Sequence, residues 1–235
     1  MSLEIKGLFK RYGELEIFRD FSTSFPEGEI TCILGPSGCG KTTLLNIIGN
    51  IVAPDSGTLS GFDGKVISYI FQDPRLLPWK SVMGNIEFVL DRNMHPAERR
   101  KITDKFIQLV ELQNFTGYYP SELSGGMRQR VSIARAFAYP SDLILMDEPL
   151  KGLDVKLKLN LVQTFSRIWQ EDRRTVIFVT HDVDEALLLG NEILVLSKPP
   201  AVVVMQNKIE IPVGDRSVDS DYFKKTKLKL LESLG

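Results

Sequence analysis

The chain has 235 residues, 43% of them apolar and 25% charged, with a net charge of −1. That suits one large α/β domain, or one domain with a smaller lobe, and the near-neutral balance excludes a global field drawing it to nucleic acid or anionic lipid. Two cysteines, Cys32 and Cys39, are too few for a disulfide scaffold and fit a reducing cytosol. The opening Met1-Ser2-Leu3-Glu4-Ile5 has neither a charged leader nor a long apolar stretch, so no signal peptide is expected. No apolar run reaches the roughly 18 residues of a spanning helix, so a membrane role must come through a partner.

In chain order, residues 3–9 and 15–34 are rich in short strand-like runs, with Phe25-Pro26-Glu27-Gly28 as a turn. Glu29–Leu34 reads as a buried strand. Gly35–Thr43 is a glycine loop, and a helix starting near Lys41 runs through Leu44–Ile48 to Gly49-Asn50. Pro54–Gly57 is a turn, and the β-branched and aromatic run Val66–Phe71 is a strand. Residues 81–90 and 96–112 are helical in pattern, and no strand is evident before Leu143. Residues 76–130 therefore read as a helical lobe inserted in an α/β core. Leu143–Asp147 is a continuous apolar run ending in a carboxylate, the pattern of a central parallel strand. Residues 155–172 suit a helix, 175–180 a second buried strand and 183–189 a short helix. Residues 192–196 and 201–205 read as edge strands. The amphipathic helix 221–233 carries Lys224, Lys225, Lys227 and Lys229, and is read as a solvated terminal face rather than a lipid contact. There is no internal repeat or low-complexity linker.

The chemistry concentrates in Gly35-Pro36-Ser37-Gly38-Cys39-Gly40-Lys41-Thr42-Thr43, which fits G-x-x-x-x-G-K-[ST]. Its glycines allow backbone N–H groups to converge on phosphate, and the helix start adds a favourable dipole. Lys41 is expected to reach β and γ oxygens and Thr42 to place its hydroxyl on Mg²⁺. Asp147, at the carboxyl end of a buried strand, can reach the metal side of this loop. Glu148, one residue on, is placed to polarise a water. His181, after the strand 175–180, can bond the γ-phosphate or that water. Gln72 ends its strand in the same fashion and can contact the metal or the water. His95 reads as a surface residue.

A second glycine element, Leu123-Ser124-Gly125-Gly126-Met127, precedes helix 128–138. Ser124 and the glycine N–H groups make another anion site, with Arg128, Arg130 and Arg135 near it. One chain has one phosphate loop. The second element is therefore expected to close over nucleotide held by another copy, in a two-fold head-to-tail dimer.

These residues, taken together, strongly resemble the ATP-binding subunits of ABC transporters, most closely the nitrate/sulfonate/taurine importer group, over nearly the whole chain. Tyr12 matches the aromatic residue that stacks on adenine and Gly35–Thr43 the Walker A loop. Gln72 matches the Q-loop glutamine, Leu123–Gln129 the signature sequence and Leu143–Glu148 Walker B with its catalytic glutamate. Gly152-Leu153-Asp154 matches the D-loop and His181 the switch histidine. Gln72–Trp79 and Thr180–Ala186 resemble the importer group. Pro149-Leu150-Lys151-Gly152 departs from that group's usual sequence, placing a charge near the dimer seam without disturbing the catalytic residues. With the sequence ending at residue 235, the regulatory tail of maltose-type subunits is not expected.

The resemblance implies an α/β fold, a P-loop NTPase core of ABC ATPase type with an antiparallel β subdomain and an inserted helical lobe. It implies ATP hydrolysis with ATP and Mg²⁺, the metal held by Thr42, Gln72 and Asp147. The expected partners are a second copy, membrane permease subunits and, indirectly, an extracytoplasmic solute-binding protein. The expected place is the cytoplasmic face of the membrane. Leu76, Leu77, Trp79 and Val82 are candidate permease contacts. A soluble ABC ATPase acting on nucleic acid or ribosomes is the alternative; a single phosphate loop and no sizeable basic patch weigh against it. A scaffold that binds ATP without turnover is opposed by the intact Lys41, Asp147, Glu148 and His181.

Overall fold

β1 (Ser2–Tyr12) and β2 (Leu15–Pro26) pair antiparallel, and β4 (Ser56–Ser60) pairs antiparallel with the other edge of β1. The computed structural model describes residues 2–217 and 219–234. Met1, Val218 and Gly235, parts of the span 1–235 read as one domain, lie outside the described residues. β4 is absent from the sequence reading, which stops at a turn over Pro54–Gly57. Its residues are exposed except half-buried Leu59, so no apolar alternation betrays it.

The second sheet has six strands in the order β5-β6-β7-β3-β8-β9. These are β3 (Ile30–Leu34), β5 (Ile67–Ile70), β6 (Leu143–Asp147), β7 (Thr175–Val179), β8 (Glu192–Leu196) and β9 (Val203–Lys208). All pairings are parallel except β8 with β9. The expectation that 192–196 is an edge strand is corrected. β8 lies between β3 and β9, and all five of its residues are buried. An uninterrupted apolar run marks a strand covered on both faces. The edge on that side is β9, whose burial alternates residue by residue.

Alternation hides inside those continuous runs. Ile30, Cys32, Leu34, Ile144, Met146, Val176 and Phe178 face one core, packed by helices. Ile33, Leu143, Leu145, Ile177 and Val179 face the other, with α1 (Lys41–Ile48) and the three-stranded sheet. Each such side chain, fully withdrawn from water, contributes roughly 1.5–3 kcal/mol.

α2 (Val82–Glu87), α3 (Pro96–Leu109) and α4 (Gly125–Ala138) pack on one another, and α4 runs past residue 130 to end against β5. Buried Asn85 fastens the segment before α2. It accepts from Leu77 N (2.8 Å) and donates to the carbonyls of Leu77 (3.2 Å), Lys80 (2.9 Å) and Ser81 (3.1 Å). Val82 is buried, which removes it from the candidate permease contacts; it belongs to the core. Trp79 is 70% exposed, with Phe88, Tyr118 and Tyr119 also exposed around α2. α5 (Val155–Asp172) and α6 (Val183–Leu189) complete the helical face. α7 (Asp221–Leu234) docks on α6 and β8 through Phe223, Thr226 and Leu230, while Lys227 pairs with Asp184 at 2.7 Å.

Candidate nucleotide site

Parallel pairing aligns the carboxyl ends of β3, β6 and β7. Ile33 and Asp147 both stand opposite Val179, and Thr180 N donates to Ile33 O. The register therefore brings Gly35–Thr43, Asp147, Glu148 and His181 to one edge, where ligands sit in open α/β sheets. Gln72 lies exposed just beyond β5 on the same side.

The phosphate loop is closed by Cys39 N donating to Pro36 O (3.3 Å). Gly40 precedes α1 with φ 104° and offers no side-chain cap, so the first N–H groups of α1 stay available to an anion. A Cβ on Gly40 would stand 2.4 Å from Ile17 Cγ2 and 2.9 Å from Phe18 Cζ. The three-stranded sheet thus braces the loop from behind. Lys41 is buried, its ammonium donating to the carbonyls of Gly35 (2.7 Å) and Pro36 (2.9 Å), which hold the charge at the loop. Ser37, Gly38 and Thr42 face outward and Thr43 is half-buried. Cys39 is buried, and burial pushes its thiol up, so it packs as a small apolar group.

Asp147 is 4% exposed. Burial pushes its carboxyl up, and the hydrogen-bonding Thr42 hydroxyl offsets part of that. A desolvated carboxylate beside a hydroxyl, at the end of a helix-capped loop, is the hard-oxygen set that Mg²⁺ takes alongside phosphate and water, so these residues fit the ion.

Glu148 adopts φ 46°, left-handed for a non-glycine residue, fixed by its N–H donating to Val179 O at 2.9 Å. Such backbone costs on the order of 1–3 kcal/mol and clusters where geometry serves function. His181 Nδ1 lies 3.1 Å from Glu148 Oε1, and Lys151 Nζ 2.6 Å from Oε2. Burial raises the Glu148 carboxyl, but Lys151 and His181 outweigh it and hold it below the usual range. The expectation that Lys151 leaves the catalytic residues undisturbed is therefore corrected, because it touches Glu148 directly.

Sequence reasoning also missed the support behind His181. Thr180 Oγ1 donates to Glu185 Oε2 at 2.6 Å, and Lys158 bridges Glu185 (2.6 Å) and Asp182 (2.8 Å). Nothing in the spacing of 158, 182 and 185 signals a shared cluster; only the packing of α5 beside α6 makes it.

Ser124 caps α4, accepting from Met127 N at 3.2 Å, and Ser124 and Gly125 are exposed. A Cβ on Gly126 would stand 3.1 Å from Leu153 Cδ2, so this element lies against the Gly152–Asp154 turn. Each of the nearby arginines spends part of its donor set on a backbone carbonyl. Arg128 donates to Leu123 O, Arg130 to Val110 O, and Arg135 to the carbonyls of Pro74 and Arg75, both at 3.1 Å. Tyr12 ends β1, half exposed, with Lys10 Nζ 5.4 Å from its ring centroid.

A glycine loop before a helix, with two carboxylates and a histidine at the neighbouring strand ends, defines a P-loop nucleotide-hydrolase site. Residues 18–151 match the ABC transporter family. The chain is 36% identical over 227 residues to the taurine import ATP-binding protein TauB of Yersinia pestis, covering 93% of this chain and 88% of that protein. It is 35% identical over 236 residues to the aliphatic sulfonates import ATP-binding protein SsuB of Bacillus cereus, covering 97% and 92%. An ATP-binding cassette solved as a dimer in a post-hydrolysis state with ADP and Pi superposes with a TM-score of 0.78 at 32% identity, covering 89% of this chain and 99% of that one. The chain belongs to the ABC transporter family and is an ATPase of its cassette type.

Proposed function

We propose that this chain hydrolyses ATP at sites shared between two copies and so powers import of a small anion, such as nitrate, a sulfonate or taurine, through a separate permease. The observation that carries the reading is the convergence of the phosphate loop, Asp147, Glu148 and His181 at one sheet edge. Lys41 and the loop amides from Gly35 to Thr43 neutralise phosphate charge, and Tyr12 stacks on the base. Thr42, Asp147 and Gln72 are the residues that would hold Mg²⁺, which when bound supplies further neutralisation of the phosphate oxygens. Glu148 accepts the proton of the attacking water, and His181 orients the carboxylate and contacts the γ-phosphate. Ser124, Gly125 and Gly126 of a second copy close the site from the other side. Fixed donors aimed at the transferring phosphoryl group are the main source of rate in such sites.

Among the described residues no helix is long and apolar enough to cross a membrane. The 76–130 lobe, with Trp79 at its surface, is the part that would meet the permease on the cytoplasmic face, a solute-binding protein delivering the anion outside. The import direction and the anion class rest on the names of the relatives. The test is Glu148→Gln. Turnover should fall by at least about 10²-fold, as for loss of a general base, while ATP binding persists and an ATP-dependent dimer accumulates in light scattering. Turnover at the original rate would remove Glu148 from its role.

A further inference from the structure

The Glu148 carboxylate has both oxygens engaged. Oε1 faces His181 Nδ1 at 3.1 Å, and Oε2, buried, lies 2.6 Å from Lys151 Nζ, close enough for an ion pair but out of line for a hydrogen bond. The other groups around this corner are committed elsewhere: Lys158 to Asp182 and Glu185, and Lys41 to the loop carbonyls. Among the described residues, Lys151 alone sets a full positive charge against Oε2. A small polar cavity of about 80 Å³, lined by Glu148, Lys151, Thr180 and His181 among others, opens beside the carboxylate.

Chain geometry fixes which part can move. Leu150 is 3% exposed and anchors the turn in the core, and Asp154 anchors its far side by capping α5. Between them Lys151 N donates to Glu148 O at 3.2 Å and Gly152 takes φ 74° with no atom near its Cβ direction. The Lys151 side chain is about half exposed, with 49% of its surface open, whereas Glu148 keeps 16%. The ammonium is thus far more open to the outside than the carboxylate. The Ser124–Gly126 element borders the same turn through Gly126 and Leu153, so a copy closing on that face meets the turn as well.

A carboxylate whose negative charge is already balanced by an ammonium pulls more weakly on a water's proton. We propose that Lys151 is a positioning residue whose ion pair holds Glu148 in a resting placement in the single chain, and that displacement of the Lys151–Leu153 turn by a closing second copy frees Oε2 for the attacking water. The inference rests on the reading of Glu148 as general base.

ATPase of the full chain without permease tests it. Lys151→Met keeps the stem and removes the charge. A half-exposed pair contributes at most a few-fold, so kcat should rise about two- to five-fold with KM for ATP within about two-fold. Lys151→Arg, which restores the charge, should return kcat to the original low value. The same lysine change in a Glu148→Gln background should have no effect on the residual rate. Lys151→Met with unchanged or reduced kcat, or Lys151→Arg as fast as Lys151→Met, overturns the positioning role while Glu148 stands. Full turnover by Glu148→Gln alone overturns the base assignment itself, and the inference with it.

Discussion

Gly40→Ala tests whether the three-stranded sheet holds the phosphate loop in shape. The residue has φ 104°, and a methyl there would stand 2.4 Å from Ile17 Cγ2 and 2.9 Å from Phe18 Cζ, both side chains in the core. The backbone strain amounts to about 1–3 kcal/mol. Overpacking against two buried side chains adds about 1–3 kcal/mol. A combined loss of about 2–6 kcal/mol corresponds to a midpoint lowered by roughly 5–20 °C in a chain of this size. The comparator is Gly38→Ala, whose φ of 78° carries backbone strain but whose Cβ would meet nothing within 4 Å. Thermal unfolding by circular dichroism, with displacement of a fluorescent ATP analogue as the binding readout, separates the two contributions. Gly40→Ala should melt well below Gly38→Ala and lose nucleotide affinity. Equal midpoints for the two variants would refute the bracing of the loop by β2.

Lys158→Met should destabilise the chain by about 1–3 kcal/mol at pH 7, less than for a fully buried pair because Lys158 keeps 26% of its surface. Burial already pushes the Glu185 carboxyl above its ordinary value, so its folded form holds its proton more tightly than the unfolded chain does. The deficit should therefore shrink as pH falls from 7 towards that raised value, which urea unfolding at pH 7 and pH 5.5 would register; a deficit unchanged between the two would show Asp182, whose low-lying carboxyl stays ionised there, to be the dominant partner. Asp182 has the opposite sign. Burial raises it, but Lys158 and the backbone N–H groups outweigh this and hold it low, so its contribution is present at neutral pH and lost as pH falls through that low value. Trp79→Ala should leave the ATPase of the isolated chain within about two-fold, since exposed sites away from the chemistry change stability by under about 0.5 kcal/mol. It should weaken co-purification with a permease, and unchanged co-purification would exclude this tryptophan from the contact.

The sequence is most transparent where one residue type has one physical use. Gly35–Thr43 and the strand end Asp147-Glu148 are visible because phosphate loops and buried strand termini tolerate few alternatives, and α5 and α6 begin and end where their patterns do. β4 is invisible because Ser56–Ser60 bury almost nothing. β8 looks like an edge because the short apolar run Ile193–Leu196 carries no record of which strands flank it. The contacts of Glu148 are opaque for a different reason. The i to i+3 spacing of Glu148 and Lys151 is readable, but only the left-handed backbone at Glu148 aims the carboxylate at both Lys151 and His181. The arginines of α4 read from the sequence as charges near the Ser124 element, and only the packing shows that each also ties a backbone carbonyl.

One of those arginines has a mechanical consequence. Arg135 grips the carbonyls of Pro74 and Arg75, two and three residues beyond Gln72, from a helix whose first turn begins at Gly125. Its guanidinium is half-buried, and burial pulls its pKa below the usual value, so breaking the grip would leave a partly desolvated charge without those partners. Ten helical residues at 1.5 Å each separate the two ends by about 15 Å. A helix does not compress over that length, so α4 works as a connecting rod. A shift of Pro74 and Arg75 that Arg135 follows would therefore reach the Ser124 end of the same rod.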